Sequence, residues 1–268
     1  MGKKGITLGK ACQVMMDFAP LRLAEEWDNV GLLVEPDSKI TVKRIMLTID
    51  LTEMVMDEAI EQEVGLIIAY HPPLFMPLKR ITQSDARSRS ILKAIRAGIP
   101  IYSPHTALDH VEGGVNDWLA DGLGEGDRAP INFEDDRPGT GRLVTLNQAT
   151  PLPEICERLK QHLGLDALRV AEAERHREDT ASPITTIALC AGAGASCIGI
   201  TNAQIYLTGE MRHHDVLRAN EAGTTVILCE HTNTERGFLP VLQQRLEEKL
   251  PQTEIIISKS DREPLEIK

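Results

Sequence analysis

Leu66-Ile67-Ile68-Ala69-Tyr70-His71-Pro72-Pro73 reads as a short buried strand that stops at an imidazole. An unbroken apolar run of this length, bounded by proline, is the pattern of a strand covered on both faces, as in a parallel sheet. Two other stretches share the design. Ile99-Pro100-Ile101-Tyr102 precedes His105-Thr106-Ala107-Leu108-Asp109, and Thr225-Val226-Ile227-Leu228-Cys229 precedes His231-Thr232-Asn233-Thr234-Glu235. The motif H-T-x-x-acid therefore follows an apolar run twice. A His and a carboxylate four residues apart share one helix face or one mouth of a strand-to-helix turn. Imidazole and carboxylate are ligands for zinc, manganese and iron. Three strands that end in such side chains point to one shared site. Thr106-x-x-Asp109 and Thr232-x-x-Glu235 also fit the capping box, and either copy alone reads as a cap before it reads as a ligand pair. Capping does not require the His.

Outward from these runs, strand-like and amphipathic stretches alternate, the signature of βαβ units. The pattern predicts a helix over 7–18, a strand over 44–50, a helix over 52–62, a strand over 65–70, a helix over 84–97 and a strand over 99–102. Residues 121–142 are rich in Gly, Asp and Pro without periodicity, a natural joint. Beyond it strands are predicted over 143–146, 168–171, 184–189, 204–207 and 225–229. Helices are predicted over 151–163, 212–222 and 234–250, with a charged loop over 172–179. The expected fold is α/β: two similar lobes with mostly parallel sheets flanked by helices, and a metal cleft at the strand ends between them. The first lobe is expected over 1–122, a linker over 123–141 and the second lobe over 142–268.

The 268 residues are 42% hydrophobic and 26% charged, ordinary globular composition. Aromatics are 3%, so the core must rest on Leu, Ile, Val and Ala. A formal net charge of −11 argues against nucleic-acid binding and against anionic membranes, while leaving room for a small anionic ligand at a local positive site. Apolar stretches have strand length, so no transmembrane helix is expected. Met1-Gly2-Lys3-Lys4-Gly5 lacks an apolar signal core, which predicts no secretory or transit leader. Cys12, Cys156, Cys190, Cys197 and Cys229 form no CxxC and are odd in number, the usage of reduced thiols in cytoplasm or nucleus.

Other features have two readings. Asp28, Asn29 and Gly31 either line the site or form an ordinary turn. Ala191-Gly192-Ala193-Gly194-Ala195-Ser196 either cradles an anion with backbone N–H groups or is a tight turn. Glu210 is a candidate to support a ligand from behind, or a helix cap. Of His213 and His214, adjacent on a helix, at most one can face a site. His110, His162 and His176 sit among polar neighbours and are expected to be solvated.

Taken in order, Glu26-Trp27-Asp28-Asn29-Val30-Gly31-Leu32, Tyr70-His71-Pro72-Pro73-Leu74-Phe75, His105-Thr106-x-x-Asp109, Gly114-Val115-Asn116-Asp117-Trp118-Leu119, Thr208-Gly209-Glu210-x-x-His213-His214 and His231-x-x-x-Glu235 form a joint pattern over residues 26–235. It resembles the Ngg-interacting-factor-three-like family, whose bacterial members are labelled GTP cyclohydrolase I type 2 homologues. The chain is similar to its short form, without the domain inserted between lobes in longer members. The resemblance implies a two-metal site with ligands His71, Asp109, His231 and Glu235. Where the bacterial pattern has His-His-Pro, this chain has Tyr70-His71-Pro72, as eukaryotic-type members do. One strong metal site is therefore expected, with a weaker second site completed by Tyr70 or His105. Zinc, manganese and iron all suit these donors. The resemblance further implies a hydrolase acting on a nucleotide or phosphoester, or alternatively a metal-binding regulatory protein with a protein partner. It also implies a symmetric homo-oligomer, with a ring of six copies as the expected assembly.

Overall fold

In the computed structural model, which describes residues 3–132, 139–178 and 182–266, each of the three apolar runs forms a strand. Leu66–Ala69, Ile101–Ser103 and Thr225–Leu228 are buried along their whole length. The chain divides into two units. One contains the residues up to Val111 together with those from Phe238 onward; the other is Glu112–Gly237.

The first unit carries a five-stranded sheet in the order Glu254–Ile257, Arg44–Thr48, Leu66–Ala69, Ile101–Ser103, Gly31–Val34. Its pairs are parallel except the last. Helices Glu53–Glu61 and Ala86–Ala97 begin where Thr52 and Asp85 accept hydrogen bonds from Val55 N–H and Ser88 N–H. The second of them ends at Gly98, whose φ of 70° closes the helix at no steric cost. Val55, Met56 and Ala59 from one helix and Ile91 and Ala94 from the other meet Met46, Ile67 and Ile101 of the sheet. Each aliphatic side chain so buried contributes roughly 1.5–3 kcal/mol.

The second unit carries a six-stranded sheet in the order Gly126–Pro130, Arg142–Thr150, Ile184–Cys190, Ile205–Thr208, Thr225–Leu228, Arg169–Ala171. Only its central three strands pair in parallel. The expectation of mostly parallel sheets therefore holds for the first unit and fails for the second. Gly126–Pro130 and Arg142–Thr150 are close in sequence and pair antiparallel, whereas a parallel pair needs a crossover of about a dozen residues or more.

The division of the chain also differs from the expected one. The stretch expected as a linker over 123–141 contains the strand Gly126–Pro130, while its residues 133–138 lie outside the described residues. The C-terminal part of the expected second lobe returns to the first unit, because Glu254–Ile257 pairs in parallel with Arg44–Thr48. The helix expected over 234–250 is shorter. Two 3-10 turns, Thr232–Thr234 and Arg236–Phe238, lead into Leu239–Lys249. Pro240 suits the first turn of that helix and marks its true start. Within the expected charged loop over 172–179, Glu174–Glu178 is helical, and residue 179 lies outside the described residues. Among the described residues no helix is long and apolar enough to cross a membrane.

Candidate metal centre

In the first unit, the strand Leu66–Ala69 delivers Tyr70 and His71 just past its carboxyl end. His71 Nδ1 lies 2.9 Å from Asp50 Oδ1, and Asp50 follows the neighbouring parallel strand Arg44–Thr48. An ionised carboxylate only accepts, so Nδ1 carries a proton, and in the neutral ring Nε2 keeps the lone pair a metal requires. Tyr70 is buried, and its hydroxyl donates to Asp109 Oδ1. The Ser103 hydroxyl donates to the Tyr70 carbonyl at 2.8 Å, which fixes Tyr70 at the strand end.

The next strand, Ile101–Ser103, leads into the helix His105–His110. His105 adopts a φ of 24°, a left-handed conformation that a non-glycine residue holds only where its surroundings enforce it. The enforcement is visible. His105 Nδ1 lies 2.8 Å from Oδ1 of Asp28, whose side chain is wholly buried. Asp28 Oδ2 also accepts from Thr106 N–H at 3.1 Å and from the Thr106 hydroxyl at 2.5 Å. Burial pushes the Asp28 carboxyl up, but the bonds from His105 and Thr106 and the His105 charge outweigh it and hold the group below its ordinary value.

In the second unit, His231 Nδ1 lies 2.8 Å from Glu210 Oε1, and its Nε2 lies 3.3 Å from Glu235 Oε1. Glu230, just before it, has a φ of 66°. The loop after Ile184–Cys190 forms the floor beneath this pair. A Cβ on Gly192 would fall 2.7 Å from Glu235 Oε1 and 2.9 Å from His231 Nε2, and its φ is +64°. Only glycine fits there. Ala191 N–H donates to Asn116 Oδ1, Gly192 N–H to Thr234 Oγ1 and Gly194 N–H to Thr208 Oγ1, at 2.8, 2.8 and 2.9 Å. Those three amides are spent inside the protein and are not available to an anion.

The expected site residues sort accordingly. Among the described residues, metal-capable donors stand at His71 in the first unit and at the neighbouring pair His231 and Glu235 in the second. Glu235 is buried, and Glu210 supports His231. Asp109 meets the Tyr70 hydroxyl. Asn29 fastens one loop to another, donating through Nδ2 to the Leu74 carbonyl at 2.5 Å. In neither copy is the Thr the residue that caps the helical turn. The residue before the His105–His110 helix is Pro104, which makes no side-chain cap, and the Thr106 hydroxyl is bonded to Asp28 instead. His231 precedes the Thr232–Thr234 turn, likewise without a side-chain cap.

The solvated reading of three histidines is corrected. His110 is buried, with Nδ1 2.6 Å from the Thr106 carbonyl and Nε2 3.3 Å from Glu25. His176 is buried against the Thr225 hydroxyl, and His162 packs on Trp118 with ring centroids 4.7 Å apart. Burial lowers the pKa of both His162 and His176. His213 and His214 are both exposed, edge-on to one another. Asp50 escaped the sequence reading, although it too stands at a strand end beside an imidazole-bearing strand.

A model of the Duf34/NIF3 (NGG1p interacting factor 3) family matches residues 6–264. The chain is 41% identical over 280 residues to the protein NIF3 homolog of Schizosaccharomyces pombe, covering 99% of each. It is 35% identical to the NGG1-interacting factor 3 of Saccharomyces cerevisiae, covering 97% of this chain and 96% of that one. Among solved structures it is similar to a Bacillus cereus protein related to NIF3, with a TM-score of 0.84 at 22% identity over 98% and 99% of the two chains. That last likeness speaks for the fold.

Proposed function

The chain belongs to the Duf34/NIF3 family, and from that premise we propose that it is a divalent-metal-dependent hydrolase acting on a nucleotide or phosphoester. The ligands in this reading are His71, Asp109, His231 and Glu235. The observation that carries it is the treatment of the imidazoles. Both His71 and His231 are held through Nδ1 by an acid, Asp50 at 2.9 Å and Glu210 at 2.8 Å, the arrangement that fixes a metal-binding tautomer and raises ligand basicity. The donor set of imidazoles and carboxylates fits zinc, manganese or iron.

The chemistry a divalent ion would supply there is Lewis acidity, which would bring the pKa of a water toward neutrality. The chain's residues do the remainder. Asp50 and Glu210 hold the rings in register. Glu235 is buried and placed at a glycine floor, so its carboxylate keeps one position. Tyr70 gives its hydroxyl to Asp109 where the bacterial pattern has a second imidazole, so one ion binds strongly and a second more weakly. The assembly that goes with this reading is a ring of six copies, checked by sedimentation at micromolar concentration.

Metal analysis of protein purified from its own host, followed by turnover assays of the metal-replete protein on GTP and a small nucleotide panel, tests the proposal. Retained metal with metal-dependent turnover supports it; protein that retains no zinc, manganese or iron overturns it. A second reading, a metal-binding regulatory protein without turnover, is favoured by the name of the yeast relative, which records a protein interaction. Stoichiometric metal without turnover of any panel member selects that reading.

A further inference from the structure

The protein has four Phe, two Trp and three Tyr, yet Trp27, Tyr70 and Phe75 gather around one imidazole. The His105 ring is edge-on to Trp27 at 6.3 Å, to Phe75 at 6.1 Å and to Tyr70 at 5.6 Å between centroids. Trp27 and Phe75 are themselves edge-on, 5.8 Å apart at 69°. Rings packed edge to face form a corner and leave aromatic faces unstacked. Trp27 is 61% exposed and Phe75 38%, in a chain whose other tryptophan is 8% exposed.

Their exposure is not that of a loose loop. The residue after Trp27 is Asp28, wholly buried and hydrogen-bonded to His105 and Thr106. Asn29 Nδ2 then bonds the carbonyl of Leu74, the residue before Phe75. Both aromatic rings are therefore presented from pinned backbone, which lowers the entropy cost of binding something between them. Asp28 engages His105 through Nδ1, so Nε2 is the ring atom left to hydrogen-bond a ligand edge. An exposed, preorganised aromatic corner backed by a polar imidazole is a recognition surface for a flat, polar-edged ring.

We propose that Trp27, Phe75 and His105 form a subsite that stacks a planar heteroaromatic ring of the ligand, a nucleobase being the type. The His71 ring lies 5.5 Å from that of His105, so a ligand seated here places its non-ring portion within reach of His71. That last step rests on the metal reading above; the stacking itself does not. Stacking is tolerant of base identity, so the subsite distinguishes ligands with a ring from ligands without one more strongly than it distinguishes purines from pyrimidines.

The test uses metal-replete full-length protein, titrated with guanosine, adenosine and cytidine monophosphates and with ribose 5-phosphate as the ringless control. Tryptophan emission and calorimetry are read together. The expected result is saturable quenching by each nucleotide and none by ribose 5-phosphate. Trp27→Ala weakens nucleotide binding about 5- to 100-fold and leaves ribose 5-phosphate unchanged, while Trp27→Phe retains most of the affinity. Phe75→Leu, which keeps the Trp27 reporter, weakens the same ligands. Nucleotide affinities equal to the control, or unchanged in Trp27→Ala and Phe75→Leu, overturn the subsite. So does a Trp27→Ala variant that differs only in sedimentation, which makes Trp27 a contact between copies. Metal content measured on the same samples separates the two claims. Normal metal without ring dependence sinks the subsite alone; ring-dependent quenching without metal sinks the hydrolase reading alone.

Discussion

His71 and His231 are each held through Nδ1 by an acid twenty-one residues upstream, Asp50 and Glu210 respectively, but their surroundings are opposite in kind. Against His71 the first unit places Tyr70 and His105, and against His105 in turn Trp27 and Phe75, with Asp28 buried and bonded to His105. Beneath His231 the second unit removes bulk, and Gly192 leaves no room for a methyl group against Glu235 and the imidazole. Side chains in the first cluster can be trimmed and still leave a shaped wall. The second cluster depends on backbone placed against a carboxylate, and close-packed backbone does not relax. Under the proposed function, the cluster in the second unit carries the more rigidly seated metal ligand and the cluster in the first carries the ring-binding wall.

The largest expected effect is at Glu235. Glu235→Gln keeps the shape and removes the charge, and apparent metal affinity should fall beyond the roughly 100-fold that marks loss of a supporting residue. Asp109→Asn should weaken metal binding less, and elemental analysis after dialysis reads both. Equal losses would break the asymmetry between the units.

Gly192→Ala comes next. Its Cβ would meet Glu235 Oε1 at 2.7 Å in a left-handed backbone, and such overpacking costs about 1–3 kcal/mol. Thermal unfolding of the apo-protein should show the loss, and metal binding should weaken with it. Unchanged stability would mean the loop moves aside and the floor is not rigid. The two supporting acids sharpen the comparison further. Glu210→Gln and Asp50→Asn should each weaken metal binding about 10- to 100-fold without unfolding the protein.

A smaller effect is expected at position 70. Tyr70→His supplies an imidazole at a strand end where the hydroxyl now bonds Asp109, and calorimetric titration with zinc or manganese should show tighter binding of a second ion. Unchanged stoichiometry and affinity would place Tyr70 purely in the packing. The smallest effect concerns acid. Burial raises the Asp28 carboxyl, but its bonds to His105 and Thr106 bring it below the unfolded value, which is about 3.9. The stability this contributes is complete above that unfolded value and is lost as pH falls through the lower folded one. Asp28→Asn should flatten the decline of the urea midpoint below about pH 4; an unchanged acid limb would refute the assignment.

Much of the candidate site was legible because its residues sit at the ends of apolar runs. Leu66–Ala69 and Thr225–Leu228 are too short and too uniformly apolar for amphipathic helices, and a buried strand must hand its next residues to a loop. Glu210 could be flagged for its place after Ile205–Thr208, whereas Asp50 carried no motif. The H-T-x-x-acid pattern was ambiguous because capping and metal ligation use the same side chains. The answer came from Pro104 at the helix start and from Asp28, which lies 78 residues before Thr106 and takes its hydroxyl.

Periodicity, capping residues and ligand chemistry are local properties, and they place the strand Arg44–Thr48, the helix Glu53–Glu61 and the imidazoles at their strand ends directly from the chain. Strand partnership is not local. Glu254–Ile257 reaches back 210 residues to pair with Arg44–Thr48, and Arg169–Ala171 closes antiparallel on Thr225–Leu228. Short apolar strands are nearly interchangeable in sequence, so register, direction and the burial of His110 and His176 are set by which surfaces meet. That choice is made by packing summed over the whole fold, where no single segment carries the information.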